Sequence, residues 1–106
     1  MTQDLNERVR LERRVRTNDA GGGASVSWTA VATLWANVAP QASAEGQDAE
    51  ARRILTRYLI VVRRRADVAA GMRIVWRDKA LFVRGVEDAG PRARVVRVVA
   101  DDGDPL

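Results

Sequence analysis

Leu55-Thr56-Arg57-Tyr58-Leu59-Ile60-Val61-Val62-Arg63-Arg64 is the most regular apolar stretch of the chain and reads as its strongest strand. Tyr58, Ile60 and Val62 point one way, and Leu59 and Val61 point the other. A strand that is apolar on both faces must be covered on both. In a chain of 106 residues, part of that cover is expected from the second layer of a barrel or from another subunit. Leu59 and Val61 are therefore candidate interface residues.

The pattern continues outward on the C-terminal side. Asp67 to Gly71 reads as a turn. Met72, Ile74 and Trp76 alternate with Arg73, Val75 and Arg77, and Asp78-Lys79 is the expected hairpin turn. Leu81, Val83 and Val86 return along the same sheet. Asp88-Ala89-Gly90-Pro91 turns again, and Arg94 to Ala100 is the last strand. Asp101 to Leu106 holds three acids and is expected to be a flexible acidic tail.

On the N-terminal side, Ser43 to Arg53 changes character to Ala, Glu, Gln, Asp and Arg. It reads as a short helix or a loop insert, with Ser43 as a candidate N-cap and Gly46 weakening the helix. Val26 to Val38 is a further extended segment ended by Pro40. Its alternation slips between Trp28 and Leu34, which places a bulge near Ala30 to Thr33. Asn18-Asp19-Ala20-Gly21-Gly22-Gly23 is the clearest breaker and reads as a hairpin tip. Arg8 to Thr17 reads as the first strand, although a helix competes. Val9, Leu11 and Val15 share a face that Arg13 interrupts. The sum is a mainly β chain: a small antiparallel β-barrel or sandwich of five to six strands with one short helical or loop insert. Residues 1–100 form a single domain and 101–106 the tail.

Composition narrows the chemistry. With no Cys and no His, the chain lacks disulfides, thiol nucleophiles, Ser-His triads and most zinc sites, so an enzyme is not expected. No cofactor is implied. Asp101, Asp102 and Asp104 lack the glycine and distal Glu of a calcium loop, so no metal site is assigned. Gly21-Gly22-Gly23 lacks the Lys-Ser/Thr of a phosphate cradle. The polar N-terminus shows no secretory pattern and no run is long enough to span a bilayer, so no membrane partner is expected. The 18 basic and 14 acidic residues give a net charge of +4; all the basic residues but Lys79 are Arg. Arg63-Arg64-Arg65 and Arg52-Arg53 are the densest clusters and are candidate contacts to DNA or an acidic surface, set against solvated strand ends. Trp28 and Trp35 are placed between a core and a protein interface rather than on a stacking platform for single strands. These residues leave open a monomeric nucleic-acid-binding barrel of the OB or SH3-like kind.

The ordered features resemble the small phage head–tail joining, or head-closure (stopper), proteins. Ser27-Trp28-Thr29-Ala30-Val31-Ala32-Thr33-Leu34-Trp35-Ala36-Asn37-Val38-Ala39-Pro40 is similar to that family's Trp, spacer, apolar, Trp-Ala, apolar, Pro signature. A polar insert follows at Gln41 to Arg53, then an Arg-ended strand at Tyr58 to Arg63. Gly71-Met72-Arg73-Ile74 and a closing hairpin from Trp76 to Asp88 complete the series. The resemblance covers about residues 5 to 100, and an Arg-rich chain of this kind also suits a prophage or gene transfer agent.

The resemblance implies a structural ring, a hexamer or dodecamer, in the neck of a particle assembled in the bacterial cytoplasm. The implied partners are further copies of the chain, the head adaptor and portal proteins, a tail terminator or tail-tube protein, and double-stranded DNA in the lumen. The ring would retain packaged DNA and receive the tail. Glu45, Asp48, Glu50, Arg52 and Arg53 of the insert would then face the lumen or a neighbouring ring.

Overall fold

The computed structural model describes residues 5–41, 44–45 and 54–103. Eight strands follow one another: β1 (Glu7–Asn18), β2 (Ala24–Pro40), β3 (Ala44–Glu45), β4 (Ile54–Leu55), β5 (Arg57–Arg63), β6 (Arg73–Trp76), β7 (Lys79–Glu87) and β8 (Val95–Asp101). Six of them form one antiparallel sheet in the order β1-β2-β5-β8-β7-β6, which closes where β1 meets β6. The expected antiparallel barrel is the fold observed.

Alternation explains why these segments close around a core. Leu11, Ile74 and Leu81 lie opposite one another across β1, β6 and β7, and all three are fully buried. Val9, Ala36, Ile60, Val62, Val83 and Val98 continue the same interior. A barrel this narrow is filled by its own side chains, leaving no lumen.

Two bulges set which residues face inward. Leu11 pairs with Ala32 and Glu12 with Ala30, so Val31 is an extra residue with no partner opposite, and it is exposed. This is the bulge that the slipping alternation placed between Ala30 and Thr33. In β7, Val83 pairs with Ala100 and Gly85 with Val99, which leaves Arg84 as the extra residue. That shift returns Val86 to the interior side after Leu81 and Val83.

β1 and β2 outrun the barrel. From Arg13↔Thr29 to Asn18↔Ala24 they pair only with each other, as a two-stranded arm about 20 Å long. Arg13 interrupts the apolar face of β1 because the core has already ended there. The arm closes at Asp19, whose carboxylate accepts the amides of Gly21 and Gly23, each at 2.9 Å. Gly22, between them, has φ +84°, which a side chain would strain.

Two expectations are corrected, and the insert is described at its ends alone. The hairpin between β6 and β7 turns at Arg77-Asp78, one residue earlier than Asp78-Lys79. Trp76 pairs with Lys79, and the two residues between them take φ values of 50° and 64°. A two-residue loop of this hand needs both central residues at positive φ to match the strand twist. Next, the chain at Asp101 is not yet tail. Asp101 ends β8, Asp102 Oδ1 accepts the Thr56 amide at 3.1 Å, and Gly103 is buried. Partners for both carboxylates hold this segment against the barrel; residues 104–106 lie outside the described part. Finally, where the insert is described it is extended: Ala44–Glu45 pairs with Ile54–Leu55 as a two-residue ladder. Residues 42–43 and 46–53 lie outside the described residues, and with them Ser43, Gly46, Asp48, Glu50, Arg52 and Arg53.

Candidate interaction surfaces

The outer face of the barrel carries a polar ladder over β1, β6, β7 and β8. Glu12 lies opposite Arg73, Arg73 opposite Phe82, and Phe82 opposite Asp101. The Glu12 carboxylate, only 5% exposed, accepts from Arg73 Nε on one oxygen and from Arg10 Nε at 2.6 Å on the other. Burial pushes its pKa up, but the two guanidinium groups outweigh that and hold it below the ordinary value. Arg84 grips Asp101 through two bonds of 3.0 and 2.8 Å. Burial of Asp101 is likewise outweighed by Arg84 and the Gly103 amide, and its pKa is lowered.

Trp28 belongs to this ladder. The Arg73 guanidinium lies 4.5 Å from the centre of its ring, and its ring is 5.9 Å from that of Phe82. Trp28 therefore ties the root of the arm to the barrel wall. Trp35 differs. It is 51% exposed, faces outward, and its described ring contact is the Arg8 guanidinium at 4.6 Å. It stands on the stretch of β2 before Ala36, which has β1 on one side and, among the described residues, no strand on the other. Exposed Val26 and Val31 lie on that same stretch.

Leu59 and Val61 do face outward, opposite to Tyr58, Ile60 and Val62. They are not equivalent. Val61 is 1% exposed in the single chain, whereas Leu59 is half-buried and lines a shallow depression with Gln41, Arg57 and Val99. Glu45 sits in β3, opposite Ile54.

The Arg63–Arg65 cluster is broken up by carboxylates. Arg64 donates to Asp88 through both terminal nitrogens and to the Gly90 carbonyl at 2.7 Å, clamping the turn after β7. Arg65 holds Asp67 at 2.8 and 2.9 Å. Hydrogen bonds from these arginines lower the pKa of both acids. Arg63, exposed at the end of β5, keeps its charge open to solvent. The pairing was invisible in the sequence because Arg64 and Asp88 lie 24 residues apart. The Glu12–Arg73 pair spans 61 residues and depends on a register that sequence alone does not give.

Among the described residues, no group of three or more acids, His or Cys comes together to hold a metal ion. No helix of the described chain is long and apolar enough to cross a membrane. The features that stand out are surfaces for contact: an exposed aromatic on a stretch of strand paired on one side, a basic arm and an apolar depression.

Two solved structures share this architecture. One, from the virion of a native gene transfer agent particle, superposes with a TM-score of 0.78 at 21% identity, covering 99% of this chain and 100% of that one. The other, the solution structure of protein SF1141 from Shigella flexneri 2a, gives 0.68 at 22% identity over 93% of both chains. A search of curated proteins finds no match. The family model of the phage head completion protein matches residues 1–103, so that the long β1–β2 hairpin, the barrel and the last strand all fall within it, and the chain belongs to the phage head completion protein family.

Proposed function

We propose that this protein is a non-enzymatic connector subunit in the neck of a phage-like particle. It forms a ring, of six or twelve copies, between the portal and adaptor on one side and the tail on the other. It holds packaged DNA in the head and receives the tail terminator or tail tube. Trp35 carries the reading. A half-exposed tryptophan on a stretch of strand paired only with β1 among the described strands, and pre-oriented by Arg8, has the form of an interface anchor, and the chain belongs to the head completion protein family. Leu59 and its depression supply a second contact to a neighbouring copy, with Val61 packed behind it. The insert around Glu45, Asp48, Glu50, Arg52 and Arg53 faces the lumen or the next ring.

Complementation tests this. In cells lacking the gene, Trp35→Ala should give folded protein with a thermal melt close to the parent's, because the ring is not in the core. The cost to the fold should be about 1 kcal/mol or less, chiefly the lost contact with Arg8. Particles should then accumulate as heads without tails or heads that have lost their DNA. Normal numbers of filled, tailed particles with Trp35→Ala would remove Trp35 as the anchor. Normal particles in the complete absence of the gene would sink the connector reading.

A further inference from the structure

Among the described residues, the open positive charge is not where the Arg63–Arg65 run suggests. Arg10, Arg64, Arg65, Arg73, Arg77 and Arg84 each hold a carboxylate of the same chain. The end of the barrel around Arg63, Arg94 and Arg97 is interleaved with acids: Glu87 lies opposite Arg97, and Asp67 and Asp88 are close in sequence to the strand ends. The β1–β2 arm is different. Arg13, Arg14 and Arg16 are all exposed on it, and Arg13 and Arg16 form no ion pair with any described residue. Its one acid, Asp19, is held by the amides of Gly21 and Gly23 at the tip.

Hydroxyl donors accompany these arginines, beside the apolar Val15 and Val26. Thr17, Ser25, Ser27 and Thr29 share the face of Arg13, while Arg14 and Arg16 take the opposite face. The acids whose side chains are described offer a second copy of the chain few free carboxylates. Glu7, Glu12, Asp67, Asp88, Asp101 and Asp102 are already engaged within the chain, and among the acids outside the arm whose side chains are described, only Asp78 and Glu87 form no ion pair. The surface calls for an external polyanion.

We propose that the β1–β2 arm is a duplex-DNA-binding ribbon that grips the phosphate backbone without reading sequence. A two-stranded ribbon fits the major groove, which is about 12 Å wide. Arg14 and Arg16 on one face, and Arg13 with the hydroxyls on the other, then reach phosphates on both flanks. A ribbon of about 20 Å runs along roughly six base pairs. The proposal deepens the connector reading, naming the part of the subunit that touches the DNA that the neck holds.

The test is fluorescence anisotropy of the full chain with a labelled 20-base-pair duplex. The two arginines without an ion pair, Arg13 and Arg16, neutralise two phosphates and give a salt slope near −1.8, so affinity should fall roughly 12-fold between 50 and 200 mM salt. The triple variant Arg13→Gln, Arg14→Gln, Arg16→Gln should bind at least tenfold more weakly at low salt, with a flattened slope. Replacing the same three residues by Lys should restore both, since point charges also neutralise phosphates. The triple Arg63→Gln, Arg64→Gln, Arg65→Gln, checked for fold by circular dichroism, should bind as the parent does.

The proposal is overturned if the parent does not bind the duplex, if the arm variant binds as the parent does, or if the loss follows the Arg63–Arg65 variant. Parent-like DNA binding combined with exclusion of the arm variant from particles would assign the arm to an acidic protein instead. None of these results touches the connector reading, which falls only if normal particles form in the complete absence of the gene.

Discussion

Glu12 is the one buried charged side chain among the described residues, and its two arginines decide what acid does to the fold. Its folded pKa lies below the ordinary carboxylate value, as do those of Asp67, Asp88 and Asp101. The unfolded chain therefore binds protons first as pH falls. The stability these groups contribute is complete above the ordinary carboxylate pKa of about 4 and is lost as pH drops through the lower folded values. With no His in the chain, no side chain of ordinary pKa titrates between pH 5 and 8. Melting temperature should be flat over that range and fall steeply between about pH 4 and 2. Glu12→Gln should cost about 1–3 kcal/mol at pH 7 in urea unfolding and show a shallower acid limb than the parent. Equal costs at pH 7 and pH 2.5 would show that Glu12 acts through packing rather than charge. The sequence places Glu12 among Arg8, Arg10, Arg14 and Arg16 on the polar face of its strand, and a solvated acid is the natural inference. Its pairing with Arg73 comes from another hairpin, 61 residues away, and is not local.

Strands and bulges were legible where periodicity carried them. The slip in alternation between Trp28 and Leu34 located the Val31 bulge, because an extra residue leaves a phase error in the pattern of apolar positions. Turns were less legible. Arg77-Asp78 contains neither Gly nor Asn, so the sequence offered no marker for positive φ, and the hairpin was placed one residue late. Each of these residues bears strain of about 1 kcal/mol or more in the left-handed region. Arg77 offsets part of it by pairing with Glu7 at 2.8 Å and lying 5.0 Å from the centre of the Trp76 ring. Asp78 forms no such pair among the described residues. Asp78→Gly should therefore stabilise the protein by about 0.5–1 kcal/mol, less whatever the added freedom of the unfolded chain removes. A fall in the urea midpoint would mean that the Asp78 side chain holds the turn in a way its geometry does not reveal. The insert was the least legible element: its Ala-rich composition favours a helix, whereas the paired ends at Ala44–Glu45 and Ile54–Leu55 are extended. Cross-strand pairing there overrides local propensity.

At the scale of the whole molecule, the barrel was readable because almost every strand alternates, while the protrusion of the arm was not, since β1 and β2 remain regular long after the core has ended. Closure itself is uneven. β5 and β8 share seven residue pairs, but β1 and β6 meet at only Arg10↔Val75, Leu11↔Ile74 and Glu12↔Arg73. A cylinder sewn shut by so short a seam has a preferred line of rupture. In deuterium exchange, amides that bridge β1 and β6 should lose protection at milder conditions than those between β5 and β8; uniform protection would mean that the sheet opens only as a whole. Pulled from the arm, the subunit would part along that line and unroll into a ribbon still joined through β2, β5, β8, β7 and β6. The same projection that gives the chain its reach is thus a lever fixed to its weakest stitch.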